Sequence, residues 1–329
     1  MDRLLIRLPN WLGDGLMARP LLHALRSRFG GAERVAVGPA AVLELLCTED
    51  PGLAAKPWPE EERERAGLAG TLRRNRADAA LILPDSFSSA WFAWRSGARE
   101  RIGYAAQGRS PLLTRALKRP ARGNRHLSEE YLALGQVLGA KGSPLPELAL
   151  PGAWRERGAR VLHPDLPQKR DFAVLAPGAA YGPAKRWPAE RFARLGDSLA
   201  ARGLAVVLCG AAADEPVCRE VAGLMKSPAL LRAGRTSLPE LAGLCSLARL
   251  VISNDSGLAH LAGAVGAPTV VLFGSTSSAW TAPLGARVRV VQQAPVCSPC
   301  FARTCAIGYR CLTAVTVDAV DRAAREIAA

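Results

Sequence analysis

Four short apolar runs, DFAVLAPG (171–178), LAVVLCG (204–210), RLVISND (249–255) and PTVVLFG (268–274), alternate with helical patterns through the second half of the chain. Continuous apolar content over so few residues suits strands covered on both faces, as in a parallel sheet crossed by helices. Phe192, Leu195 and Leu199 give the first of the intervening helices a buried stripe, with Pro188 in its first turn and Gly203 placed to end it. Further helices are expected from Pro216, Leu238 and Ser256, and a short strand near Leu230. The pattern predicts a doubly wound α/β sheet, whose ligands bind in loops beyond the carboxyl ends of the strands.

The first half repeats the alternation less regularly. LLIRL (4–8), RVAVG (34–38) and DAALILP (78–84) read as strands, with helices over 16–28, 40–48, 60–75 and 88–96. Prolines and glycines with weak periodicity fill 141–169, and the domain boundary is expected there. The expected division is a Rossmann-like domain over 1–155 and a second over 156–329, the two facing a cleft.

Composition narrows the function. Apolar residues at 49% and charged residues at 22% exclude a disordered chain. Arg, Asp, Gly or Pro interrupts every candidate membrane span, and the apolar part of MDRLLIRLP is too short for a signal peptide, so a cytoplasmic protein is expected. A net charge of +14 favours an anionic partner. The basic residues are dispersed, without aromatic interleaving, so nucleic acid is not expected as that partner. No strand is followed by G-x-G-x-x-G, which argues against nicotinamide chemistry.

Three loops carry candidate chemistry. PNWLGDG follows the first strand and sets Asp14 between Gly13 and Gly15, either as a base for a hydroxyl proton or simply as the N-cap of the next helix. PGAAYGPAKRWP (177–188) carries Gly182, Lys185 and Arg186. It is not a Walker A loop; Lys185 reads as a point charge for a diphosphate or as a solvated loop lysine. NDSGLAHLAGAVGAP opens a helix with Asp255, Ser256, Gly257 and His260, and its free first-turn N–H groups suit a phosphate. His260, one turn beyond Ser256, faces the ligand or packs in the core. Late in the chain Cys297, Cys300, Cys305 and Cys311 form C-x2-C-x4-C-x5-C, open to a structural zinc, an iron–sulfur cluster, disulfides or reduced packed thiols.

The three loops, taken in order with ALILPDSFSSAWFAWRSGARERIGY (80–104) and CSPCFARTC (297–305), resemble the inverting glycosyltransferases of the GT-B fold that add heptose to lipopolysaccharide. The resemblance covers nearly the whole chain. It implies transfer from ADP-L-glycero-D-manno-heptose to an inner-core heptose of heptosyl-Kdo-lipid A, with no cofactor required beyond the zinc considered above. Asp14 would be the catalytic base and Lys185 would stabilise the departing ADP. Asp255, Ser256, Gly257, His260 and Gly182 would hold the donor, with Asp214 or Glu215 at the ribose. Gly13, Arg99, Arg101 and the 105–115 segment would lie on the acceptor side. It further implies an enzyme in peripheral contact with the cytoplasmic face of the inner membrane of a Gram-negative envelope, and a last helix packed back across the domains. Asp85 stands where the family pattern has Asn, and the loop after Gly210 carries no clear ribose acid. The alternatives are a heptosyltransferase I-type enzyme, a transferase of the same fold using another nucleotide sugar, or a non-catalytic basic protein with a zinc knuckle.

Overall fold

Strands and helices alternate along the chain in a computed structural model that describes residues 1–142, 145, 147–163, 165–166 and 171–328. Contacts divide it into two units, Met1–Pro146 and Glu147–Ala329.

The first unit runs β1 (Arg3–Arg7), α1 (Leu12–Met17), α2 (Arg19–Arg28), β2 (Glu33–Gly38), α3 (Ala40–Glu49), β3 (Leu53–Pro57), α4 (Glu62–Arg74), β4 (Ala79–Ile82), α5 (Phe87–Arg95), β5 (Glu100–Tyr104), β6 (Arg115–Leu117) and α6 (Leu127–Gln136). All its strand pairs are parallel, in the order β3-β2-β1-β4-β5-β6. Chain order reverses between β1 and β4, where Arg7 pairs with Ile82, and such a switch point opens a crevice at the carboxyl edge. The central strands β1, β2 and β4 are almost wholly buried, whereas β3 at the edge exposes all but Leu53 and carries Lys56 and Pro57, which discourage further pairing. One side of the sheet is closed by Leu5, Val35, Val37, Ala80 and Ile82 against Leu72, Phe92 and Ala93 of α4 and α5.

The second unit contains α7 (Gly152–Leu162), β7 (Phe172–Ala176), α8 (Ala189–Ala201), β8 (Ala205–Leu208), α9 (Glu215–Leu224), β9 (Ala229–Leu231), α10 (Leu238–Leu247), β10 (Leu250–Asn254), α11 (Gly257–Ala264), β11 (Thr269–Phe273), α12 (Ser278–Thr281), β12 (Val288–Gln292), α13 (Arg310–Thr313) and α14 (Val317–Ala328). Its sheet is also parallel, in the order β12-β11-β10-β7-β8-β9, and reverses between β7 and β10. Trp187, Phe192, Leu195 and Leu199 pack with Leu175, Leu208, Ile252 and Leu272, and Val320 and Ala324 of α14 join the same core. The last helix thus packs on α8 and on β10, β11 and β12 of its own unit. No helix among the described residues is long and apolar enough to cross a membrane.

The stretch read from sequence as a boundary holds a helix. α7 buries Trp154, Gly158 and Leu162, and it crosses α10 so closely that a Cβ on Gly243 would lie 1.9 Å from the Trp154 carbonyl oxygen. A Cβ on Gly158 would lie 2.3 Å from the Leu244 nitrogen. Backbones can approach to this extent only where neither helix carries a side chain at the crossing.

Candidate active site

The two switch points gather the candidate residues into two groups, one in each unit. In the second unit the loop after β7 ends in a single 3-10 turn, Pro183–Lys185, that aims Lys185 at the loop after β10. Lys185 Nζ lies 2.6 Å from Asp255 Oδ2, with the lysine side chain 13% and the aspartate 3% exposed. Thr276 Oγ1 donates to the same Asp255 oxygen at 2.6 Å, from the loop after β11. The loops after three neighbouring strands of the sheet, β7, β10 and β11, are therefore tied at one carboxylate. Lys185 Nζ also stands 4.9 Å from the centre of the Tyr181 ring, so its charge is held by an ion pair and an aromatic face together.

The turn beside Lys185 needs Gly182. Its φ is 144°, and a Cβ there would lie 2.7 Å from the Arg303 carbonyl oxygen. Arg303 belongs to the late cysteine-rich segment, which braces this loop through its backbone. Ala184 N–H donates to the Arg303 carbonyl at 3.1 Å, and Tyr181 Oη donates to the Phe301 carbonyl at 2.5 Å. Phe301 N–H in turn donates to the Ser275 carbonyl at 2.8 Å.

Asp255 and Ser256 lead into α11, whose N-cap is Ser256. Ser256 makes no capping bond with its side chain and instead shares a hydrogen bond with Ser253 Oγ at 3.0 Å. By contrast, α10 closes its first turn with a reciprocal Ser237–Glu240 box. The first-turn amides of α11, beginning at Gly257, therefore face the loop cluster without a serine side chain over them. His260 lies buried one turn on. Asn254 is fully buried and locks the β10 loop to the β7 loop, accepting from Trp187 N–H at 3.0 Å and donating to the Pro177 carbonyl at 2.7 Å.

Of the two ribose candidates, Asp214 is at this edge and Glu215 is otherwise engaged. Asp214 accepts from Ala211 N–H at 3.0 Å, and it lies so near the β7 loop that a Cβ on Gly178 would sit 2.2 Å from Asp214 Oδ1. Glu215 pairs with Arg219 one turn along α9 at 2.7 Å, and that hydrogen bond holds its carboxyl below the usual range.

In the first unit Asp14 falls in the first turn of α1, which starts at Leu12 with Trp11 as N-cap. The alternative in which Asp14 caps the helix is thereby set aside. Gly13 and Gly15 on either side are buried. Tyr131 of α6 is nearby: burial first, and then the charge of Asp14, push its phenol well above the ordinary value. The same carboxyl edge carries an ionic cluster of which the sequence reading held only Arg109, inside the 105–115 segment, and Asp85 as a departure. Arg119, after β6, pairs with Asp85 of the loop after β4 and lies 3.1 Å from Glu130 of α6. The fully buried Arg109 approaches Asp85 at 3.6 Å, donates to the Tyr104 carbonyl at 2.9 Å and also bonds the Pro84 carbonyl. Burial lowers the Arg109 pKa, and Asp85 draws it back up. Asp85, noted in the sequence only as an unexpected residue, is the centre of this cluster.

Arg99 and Arg101 are not brought to Asp14. They lie around the start of β5, where Glu100 is in register with Ala79 and, through it, with Leu4, so they occupy the amino edge of the sheet. Arg99 pairs with Asp78 at 3.6 Å, and the Arg101 guanidinium donates to the Leu112 and Ala98 carbonyls, each at 2.7 Å.

The four late cysteines do not assemble as the zinc reading requires. Cys297 and Cys300 are exposed, Cys305 is half-buried and accepts from Tyr309 N–H at 3.3 Å, and Cys311 is buried beside Leu312 in the core. Among the described residues no group of three or more His, Cys, Asp or Glu side chains could hold a metal ion. The zinc alternative therefore gains no support among the described residues, and the segment is held by backbone hydrogen bonds and by the Trp280–Phe301 edge contact at 5.8 Å.

Comparison with known proteins agrees with this arrangement of sheets. Residues 65–309 match glycosyltransferase family 9 (heptosyltransferase). The chain is 32% identical over 305 residues to lipopolysaccharide heptosyltransferase 2 of Salmonella typhimurium, with 88% of each chain covered. Identity and coverage are the same for lipopolysaccharide heptosyltransferase 2 of Escherichia coli. Among solved structures, the E. coli ADP-heptose lps heptosyltransferase II superposes with a TM-score of 0.84 at 28% identity, covering 100% of this chain and 98% of that one.

Proposed function

The chain belongs to glycosyltransferase family 9, the heptosyltransferases, and from that premise we propose that it is an inverting transferase that moves heptose from ADP-heptose onto an inner-core heptose of lipopolysaccharide. The observation that carries the donor half of this reading is the Lys185–Asp255–Thr276 junction beside the N-terminus of α11. An ammonium and a row of backbone amides at one strand edge are suited to a diphosphate that gains charge as it leaves.

The reaction is a single displacement. The acceptor hydroxyl oxygen bonds to the anomeric carbon, the bond from that carbon to the diphosphate breaks, and ADP departs with the electron pair. Asp14 takes the hydroxyl proton, while Lys185 and the α11 amides meet the charge on ADP. Lys185 starts out paired with Asp255, so a donor phosphate would share it or draw it away, leaving Asp255 held by Thr276 and turned to the sugar or ribose hydroxyls. Ser256, Gly257, His260 and Gly182 complete the donor wall, and Asp214 is the better placed acid for the adenosine ribose. At the acceptor edge, Asp85 and Arg119 lie with Gly13 and Asp14, and they replace Arg99 and Arg101 as the groups assigned to the acceptor. The acceptor is lipid-linked, which supports the reading of an enzyme working on the cytoplasmic side in peripheral contact with the inner membrane.

Calorimetric titration with ADP, beside UDP and GDP, tests the donor assignment. Selective ADP binding is expected; equal binding of all three, or none, would overturn it. Turnover of ADP-heptose with a lipopolysaccharide core acceptor tests the rest.

A further inference from the structure

The helix α5 has two apolar faces and only one of them is covered. Inward, Ser89, Ala90, Phe92 and Ala93 are buried, and Phe92 meets Trp58 edge-on at 5.0 Å. Outward, Phe87, Trp91 and Trp94 follow one another at positions i, i+4 and i+7, and they are 49%, 39% and 47% exposed. Their rings form a ladder, with Phe87 and Trp91 stacked at 6.3 Å and Trp91 and Trp94 at 4.8 Å. A surface helix ordinarily turns polar residues to water here.

The end of the ladder is rimmed by cations. Arg95 follows Trp94 and is exposed, and Arg73, Arg74 and Arg76 are exposed at the end of α4, which packs beside α5. Arg73 and Arg76 reach the turn after α5, where a Cβ on Gly97 would lie 3.2 Å from the Arg73 side chain and 3.5 Å from that of Arg76. Asp78, the acid nearest Arg76 in sequence, is paired with Arg99, and Glu100, the acid nearest Arg95, is paired with Arg115. Aromatic rings edged by guanidinium groups match the headgroup layer of an anionic bilayer, in which Trp and Tyr concentrate and basic side chains meet lipid phosphates. The ladder starts two residues after Asp85, at the sheet edge that carries Asp14.

We propose that the outward face of α5 is a membrane-docking surface, with Phe87, Trp91 and Trp94 entering the headgroup layer of an anionic bilayer and Arg73, Arg76 and Arg95 contacting lipid phosphates. The inference deepens the proposed function and rests on its lipid-linked acceptor: with α5 lying along the bilayer, Phe87 keeps the Asp14 edge close to the surface from which that acceptor projects, while the arginines anchor the opposite, amino edge.

The test uses the full-length protein with vesicles of phosphatidylethanolamine containing roughly a quarter phosphatidylglycerol, and with phosphatidylcholine vesicles as the neutral control. Wild type is expected to co-sediment with the anionic vesicles, with tryptophan emission quenched by lipids brominated in the acyl chain. F87S/W91S/W94S should lose about tenfold or more in partitioning, and R73Q/R76Q/R95Q should lose the preference for anionic over neutral vesicles. Both variants should keep wild-type kcat/KM on a soluble, deacylated core acceptor. Unchanged partitioning of the aromatic variant, or absence of quenching in wild type, overturns the proposal. A ladder-dependent dimer without vesicles would assign the face to a second copy of the chain. A raised KM for the deacylated acceptor would assign it to sugar stacking. Failure of wild type to transfer heptose to any acceptor would defeat the proposed function instead, and the vesicle measurement would still be read independently.

Discussion

Asp14 and Lys185 can be separated by what each substitution leaves intact. Asp14→Asn keeps the shape of the α1 turn and removes the proton acceptor, so kcat should fall by about 10²-fold or more while ADP binds as before. Near-normal turnover by the variant would remove Asp14 from the reaction. Lys185→Ala has two effects, because Asp255 is buried and accepts from it. ADP affinity should drop, and stability should fall by about 3 kcal/mol as a buried carboxylate loses its counter-charge. Lys185→Ala/Asp255→Asn should recover most of that stability in urea denaturation without recovering ADP affinity. If both return together, the lysine is structural. The thiols divide in the same residue-by-residue way. Burial pushes Cys218 and Cys245 up to about 12 and also holds Cys209 well above its ordinary value. At pH 8 about one in 10⁴ of the Cys218 and Cys245 thiols is ionised, so iodoacetamide should label the exposed Cys297 and Cys300 first and leave the buried Cys209, Cys218 and Cys245 unlabelled in the folded protein. Mass mapping of the adducts reads this directly. Little of this pairing could be read from sequence: Asp255 and Lys185 stood out as separate loop residues, but nothing local joins them, and the Arg109–Asp85–Arg119–Glu130 cluster is assembled from four segments.

At the scale of elements, legibility followed burial on both faces. β1, β2, β4, β7, β8, β10 and β11 all contain nearly continuous apolar runs, because helices cover them above and below. β3, β6 and β12 lie at or near water on one side and mix in Lys, Pro, Arg and Gln, so no apolar run announces them. β5 is masked by Glu100 and Arg101 at its start. α7 was hidden for a different reason: its buried stripe is Trp154, Gly158 and Leu162, and glycine reads as a breaker when it is in fact the point of contact. Gly243→Ala should therefore destabilise by about 1–3 kcal/mol in urea denaturation, since the added methyl meets backbone in α7 that cannot rotate away. The same substitution at Gly223, where a Cβ meets nothing within 4 Å, should be neutral or slightly stabilising. Equal effects at the two positions would refute the close crossing.

For the whole molecule, the division into two units, each with its own parallel sheet and switch point, predicts an asymmetric response to nucleotide. ADP at 100 times its Kd stabilises whatever it binds by about 2.7 kcal/mol. Hydrogen exchange should slow in the loops after β7, β10 and β11, and remain unchanged around Asp14 and Asp85. Protection of both sets by ADP alone would contradict the assignment of donor to the second unit. The parallel layers and their crevices were legible from alternation alone, whereas the first unit, with charged strands and an ionic cluster at its edge, was less so.

The helix α14 joins the core of the second unit through Val320, Ala323 and Ala324, and Arg289 of the edge strand β12 pairs with its Glu326. It is amphipathic, and its apolar side covers β10, β11 and β12, which stay bare on one face until it docks. A chain ended after Thr316 would keep that face uncovered permanently, beside a strand, VRVVQ, whose outer backbone is free to recruit another chain. Such a truncation should accumulate in inclusion bodies, and supplying the missing helix as a separate peptide during refolding should return part of it to solution.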